Sequence, residues 1–259
     1  MKVDLHNHTV LCNHATGSVN EYVEAAIACG TQYFGFSDHA PMMFDPQYRM
    51  KFEEMELYEG WVHQAQEQYR DKITVLLGYE VDYLPGYLDE RVLKRSCDYL
   101  IGSVHFIDEW GFDNPEFIGH YNNINMDEIY IRYFSLVEEM AKLGKFNIVG
   151  HFDLLKVFNF FPKTDIRLLA KDALKAIKKA DMTIEINMSG LRKPVKEAYP
   201  SDELLEEIAS FDIPITFASD AHRSDQVGMF SDEIEALARQ MGYRECALYR
   251  NKERTMIKI

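Results

Sequence analysis

The chain has 259 residues, 47% of them hydrophobic, enough to bury a large core and near the upper limit of one domain unless that domain is a barrel. With 28 basic against 42 acidic residues its net charge is −14, which argues against broad adhesion to nucleic-acid phosphates or anionic lipid. Any anionic substrate therefore needs a local positive site, which metal cations would supply.

Short apolar runs alternate with longer amphipathic segments, the pattern of βα units around a parallel sheet. A first strand, Lys2–His6, runs into His6-Asn7-His8, with His14 in the loop beyond. Alternate residues of a strand share a face, so His6 and His8 project side by side. A helix over Ser18–Cys29 opens on a capping box formed by Ser18 and Glu21. The second strand, Tyr33–Ser37, ends in Ser37-Asp38-His39, and a helix over Lys51–Tyr69 carries His63. The third, Ile73–Tyr79, is followed by Glu80, then by a helical segment over Leu88–Arg95. The fourth, Tyr99–Val104, leads to His105 and to the longest irregular stretch, Phe106 to Asn125. Trp110, Phe112 and Phe117 in that stretch suit either a cover over a site or packing of the loop onto the barrel, and His120 lies there too.

After a helix over Asp127–Leu143, the fifth strand, Ile148–Gly150, ends in Gly150-His151. A helix over Asp165–Lys179 precedes the sixth, Thr183–Asn187, which ends without a metal ligand. A helix over Asp202–Ser210 precedes the seventh, Ile215–Ser219, which ends in Ser219-Asp220-Ala221-His222. A last helix near Ser231–Met241 and a hairpin, Cys246–Tyr249 with Thr255–Ile259 around Asn251-Lys252, follow. No linker, repeat or low-complexity tract appears, so one domain over residues 1–259 is expected. Cys12, Cys29, Cys97 and Cys246 lie far apart with no Cys-x-x-Cys spacing, no apolar run is of membrane-spanning length, and Met1-Lys2-Val3 leaves no room for a signal peptide. A soluble protein of the reducing cytoplasm is the expectation.

In a parallel barrel the C-terminal strand ends share one face, where active sites lie. His6, His8, His14, His39, Glu80, His105, His151, Asp220 and His222 would meet there. A single such histidine is more often a satisfied core residue, but only His63 and His120 of the nine histidines fall off this pattern, and both are read as non-ligands. Nine groups exceed what one ion takes, so two or three metals are implied, with Glu80 as the natural bridge. Imidazoles mixed with carboxylates suit Zn, Mn or Fe rather than Mg or Ca. Asp38 reads as a partner orienting a ligand imidazole, with proton transfer as the other option. Clustered divalent metals activate water and clamp phosphoryl oxygens, which points to phosphoester hydrolysis, and amide hydrolysis stays open. There is no Walker loop, serine nucleophile elbow or Rossmann fingerprint.

The motifs His6-Asn7-His8, Ser37-Asp38-His39, Glu80, His105, Gly150-His151 and Asp220-Ala221-His222 together resemble the polymerase-and-histidinol-phosphatase (PHP) family of metal-dependent phosphoesterases over residues 4 to 222. The resemblance implies an α/β fold, a distorted seven-stranded (β/α) TIM-like barrel. It also implies three metals: one on His6, His8, Glu80 and Asp220, a second on Glu80, His105 and His151, a third on His14, His39 and His222. The run from Glu185 to Lys193 with Tyr199-Pro200-Ser201, the segment Ile101 to Asp108, and Gly150 to Lys156 are similar to the histidinol-phosphate phosphatases of that family. The implied activity is hydrolysis of L-histidinol phosphate in histidine biosynthesis, with Arg192 and Lys156 as cations for the phosphate and Ser103 as a further substrate contact. Arg192, after the one strand lacking a metal ligand, would fork onto two phosphate oxygens, whereas Lys156 would act as a point charge. Another small phosphoester or nucleotide as substrate, or a metal-binding module without catalysis, remain as alternatives. Oligomeric state leaves no readable signal.

Overall fold

A computed structural model describes residues 1–259 apart from the side chain of Asn123. Its centre is one seven-stranded sheet of β1 (Val3–Asp4), β2 (Tyr33–Phe36), β3 (Thr74–Asp82), β4 (Tyr99–Ser103), β7 (Ile148–Val149), β8 (Thr183–Asn187) and β9 (Ile215–Ala218), in that order. Every neighbouring pair is parallel. The last strand returns to the first: Leu5 N–H donates to Phe217 O (3.0 Å), Asp220 N–H to His6 O (2.7 Å) and His8 N–H to Ala221 O (3.0 Å). The result is the nearly closed barrel of seven parallel strands that the sequence implied. Asp4 locks the seam, accepting from Ser219 N–H at 2.9 Å and Ser219 Oγ at 2.6 Å.

The crossovers are α1 (Val19–Ala28), α2 (Met55–Tyr69), α3 (Glu90–Leu93), α4 (Met126–Lys142), α5 (Ile166–Lys179), α6 (Asp202–Ser210) and α7 (Ser231–Gln240). The Ser18–Glu21 capping box forms: Ser18 N–H reaches Glu21 Oε2 at 2.6 Å and Glu21 N–H reaches Ser18 Oγ at 3.3 Å. The segment expected over Leu88–Arg95 is a single turn, because Asp89 caps it from an extended conformation and Arg95 is drawn away to Glu59.

Two departures from the sequence reading and one packing feature matter for the site. The stretch after β4 is not irregular: β5 (Phe106–Ile107) and β6 (Trp110–Gly111) pair as a hairpin, and a 3₁₀ stretch covers Pro115–Asn123. Phe112 is buried against Tyr133 (centroids 5.5 Å apart), so the loop packs onto the barrel, while Phe117 stays about half exposed at 48%. Next, β3 continues three residues beyond Tyr79, so Glu80 and Asp82 both lie within it and share its inner face. Finally, the interior is filled by Tyr99, whose hydroxyl donates to Leu5 O at 2.6 Å. A Cβ on Gly35 would stand 1.9 Å from that hydroxyl and one on Gly78 would stand 2.4 Å from the ring, so only glycine fits at both.

The hairpin β10 (Glu245–Arg250) and β11 (Glu253–Lys258) closes the opposite end. It meets strand starts through Thr216 Oγ1 to Ala247 O (2.9 Å), Thr183 Oγ1 with Tyr249 OH (2.7 Å) and Lys252 N–H to Asp98 O (2.7 Å). Only the C-terminal strand face is therefore left for chemistry.

Candidate active site

The nine residues expected at the strand ends converge on that face. Glu80 is the hub: Oε2 lies 2.9 Å from His39 Nδ1, 3.3 Å from His6 Nε2 and 3.8 Å from His8 Nε2. Oε1 lies 2.8 Å from His151 Nε2 and 3.6 Å from His105 Nε2. Asp220 joins through its Oδ1, 3.1 Å from His8 Nε2. His151 and Asp220 hold positive φ angles, 20° and 48°, a backbone strain of the kind that persists where it aims a side chain at a site.

Three clusters have their donor atoms mutually within 4.8 Å: His6, His8 and Glu80; Glu80, His105 and His151; His14, His39 and His222. The first is fully buried and the third opens to the mouth, with His14 exposed. Two overlapping groupings add Cys12 beside His8 and His222, and Asp82 beside His39 and His105. The Cys12 thiol already donates to Thr9 O at 3.1 Å, and burial pushes its pKa up. His63 is exposed on α2 and His120 lies exposed against Trp110 (4.5 Å), both outside the clusters.

Three of the inner imidazoles are held from behind, while His151 Nδ1 is buried without a partner. His6 Nδ1 faces Glu185 Oε1 and Oε2, both at 3.0 Å. His8 Nδ1 faces Asp38 Oδ1 at 3.2 Å, and His105 Nδ1 faces Asp82 Oδ1 at 2.5 Å. Asp82 is in turn paired with the buried Arg49, and Asp220 Oδ2 accepts from Asn187 Nδ2 (3.1 Å) and Ser189 Oγ (2.9 Å). Glu185, Asp82 and Arg49 were not singled out from sequence. The signal was there for Glu185: it is a carboxylate in the middle of an apolar parallel strand, where an unpaired charge is costly.

Charge and burial oppose each other here. Burial alone would neutralise the His8 and His105 rings, yet Asp220 and Asp38 push His8 up to about 9, and Asp82 with Glu80 pushes His105 up to about 10. Despite burial, the surrounding imidazoles hold the Glu80 and Asp220 carboxyls well below the usual range. At the mouth, burial and the neighbouring His8 push His39 down to about 4. His6 Nε2, His39 Nδ1 and Glu80 Oε2 are buried and lie close to one another without forming an aligned hydrogen bond. Orphaned donors facing one carboxylate, in sets of mixed nitrogen and oxygen, fit borderline divalent cations.

The site opens into a cavity of about 340 Å³ whose walls include Arg192, Lys193, Asp113, Ser189 and Gln226. Arg192 donates from Nη2 to Ser219 O (2.8 Å) and Asp220 O (2.9 Å), and its Nη1 is buried without a partner. The other two expected substrate contacts are not brought there. Lys156 is buried beneath a separate cavity of about 800 Å³, its Nζ taken up by Ala198 O (2.8 Å), Asp153 (3.0 Å) and Glu197 (3.0 Å). Ser103 lies one inward position before His105, wholly buried, and packs against Gly150 so closely that a Cβ there would stand 2.2 Å from Ser103 Oγ. Asp38 is buried, accepting from His39 N–H (2.9 Å), Thr9 N–H (3.1 Å) and Thr9 Oγ1 besides His8.

Comparison with known proteins agrees with this geometry. Residues 4–189 match the PHP domain family. The chain is 37% identical over 247 residues to a protein of Deinococcus radiodurans named "Probable histidinol-phosphatase", covering 93% of this chain and 94% of that one. It is 30% identical over 260 residues to the "Histidinol-phosphatase" of Bacillus subtilis, covering 88% and 96%. Its fold matches that of a histidinol phosphate phosphatase from Lactococcus lactis, solved with zinc, L-histidinol and phosphate, with a TM-score of 0.80, 22% identity and 98% of each chain covered.

Proposed function

The chain belongs to the PHP domain family, and from that membership we propose that it is a metal-dependent phosphomonoesterase hydrolysing L-histidinol phosphate to L-histidinol and phosphate. The observation that carries this reading is Arg192, a guanidinium with one nitrogen pinned on two carbonyls and the other free, in the same cavity as a histidine and carboxylate cluster. The names of the relatives from Deinococcus radiodurans and Bacillus subtilis support the substrate. We take residues 1–259 as one catalytic domain working in the cytoplasm.

Three divalent ions, Zn, Mn or Fe, would be held by His6, His8, Glu80 and Asp220, by Glu80, His105 and His151, and by His14, His39 and His222. When bound they supply Lewis acidity toward a phosphoryl group and an activated water at neutral pH. The protein's part is to fix geometry: Glu185, Asp38 and Asp82 hold the rings of His6, His8 and His105 so that their other nitrogens point at the centre. Asp38 has both oxygens engaged by four donors, which supports a positioning role rather than proton transfer. Arg192 Nη1 contacts a phosphoryl oxygen as charge develops there. Lys193, exposed on the same wall, takes the electrostatic part expected of Lys156.

Phosphate release from L-histidinol phosphate, a nucleoside monophosphate and a sugar phosphate tests the reading. The metal-loaded protein should prefer L-histidinol phosphate, and Arg192→Ala should lower its kcat/KM by about 100-fold. Equal or greater turnover of the other esters would overturn the substrate, and an unchanged kcat/KM in Arg192→Ala would overturn the clamp.

A further inference from the structure

The reactive cavity does not end at the imidazoles. A second cavity of about 540 Å³ continues outward from it, and the two share His14, His39, His105, Asp113 and Lys193 in their walls. These walls carry opposite charge. The segment after β8 contributes Arg192 and Lys193, whereas the loop after β6 contributes Asp113, half-buried and without an ion pair or hydrogen bond to its carboxylate among the described residues.

Asp113 stands between two anchored neighbours. On one side Phe112 is wholly buried, and on the other Asn114 caps the following 3₁₀ stretch, accepting from Glu116 N–H at 2.9 Å. The other acids of the outer cavity are less suited: Asp45 is tied to Arg49 (3.5 Å), and Glu109 and Glu116 are exposed on the rim. The substrate proposed above is itself polarised, with a phosphate at one end and an ammonium on the carbon next to the ester-bearing carbon. Arg192 and Asp113 line the same inner cavity and Asp113 also lines the outer one, so a substrate with its phosphate against Arg192 can direct its ammonium toward Asp113.

Resting on that reading of the substrate, we propose that Asp113 receives the ammonium group of the leaving amino alcohol, and that the rest of the leaving group extends into the outer cavity lined by Tyr48 and Phe117. Opposite charges on facing walls then admit the substrate in one orientation only, and Asp113 acts in binding and selection, not in the bond-breaking step.

The test compares wild type, Asp113→Asn and Asp113→Glu on L-histidinol phosphate and on phenyl phosphate, which lacks the amine, with L-histidinol and inorganic phosphate as inhibitors. Asp113→Asn should reduce the ratio of the two kcat/KM values by roughly 10- to 100-fold, the worth of a charge-assisted hydrogen bond, mainly through KM. Inhibition by L-histidinol should weaken by a similar factor while inhibition by phosphate does not, and Asp113→Glu should recover part of the ratio. A proportional loss on both substrates, or undiminished inhibition by L-histidinol, would overturn the assignment. A wild-type ratio near one would instead overturn the substrate itself, whereas a high ratio surviving in Asp113→Asn would remove Asp113 alone.

Discussion

Five imidazoles stand within 4 Å of the two oxygens of Glu80, so that carboxylate belongs to two donor clusters at once. Glu80→Gln should therefore lower bound metal by more than one equivalent per chain and abolish turnover, read by elemental analysis of the dialysed protein. Asp82→Asn keeps every donor but frees the His105 ring; metal affinity should fall about 10- to 100-fold with stoichiometry retained at saturating metal, read by competition with a chromophoric chelator. The His8 and His105 rings, raised to about 9 and about 10 in the metal-free chain, carry protons at pH 7 that a ligating nitrogen must lose. Metal uptake at pH 7 should release protons and tighten as pH rises toward that range, measured by calorimetry in buffers of different ionisation enthalpy. The same raised values stabilise the metal-free fold below pH about 6.5, a contribution lost as pH climbs through about 9 to 10.

At the scale of elements, the positions of all seven barrel strands were legible because each is a short apolar run, and β8 and α6 match to the residue. What was not legible follows from pairing and packing. Nothing local ends β3 at Tyr79, and pairing of Val81 and Asp82 with Gly102 and Ser103 extends it, which brings Asp82 behind His105. Lys156 was expected as a cation for the phosphate, yet the 3₁₀ turn over Leu154–Phe158 turns it inward onto Asp153. Removing it strands a buried carboxylate, so Lys156→Ala should cost about 3–5 kcal/mol in urea unfolding while leaving KM of the folded fraction unchanged. Gly35→Ala drives a methyl into the Tyr99 hydroxyl and should destabilise by about 1–3 kcal/mol, and Gly35→Ala with Tyr99→Phe should recover part of that loss.

Across the whole molecule, one end of the barrel is sealed by the β10–β11 hairpin and the other gathers candidate metal ligands from the end of every barrel strand except β8, whose Glu185 and Asn187 support the cluster from behind. Bound metals would cross-link strands that are distant in sequence, and each site held at about 100 Kd adds about 2.7 kcal/mol, so stripping should lower Tm by roughly 5–10 °C per site, seen by calorimetry. With a net charge of −14 the chain as a whole disfavours phosphate, whereas Arg192 and Lys193 stand at this mouth beside the candidate metal ligands. Metal-dependent hydrolysis at this mouth is tested by phosphate release from L-histidinol phosphate by protein stripped with a chelator and then titrated with zinc or manganese. The stripped protein should show no turnover, and activity should rise to its full level as the sites fill. Full activity in the stripped protein, or an intact ester after complete reloading, would contradict metal-dependent hydrolysis here.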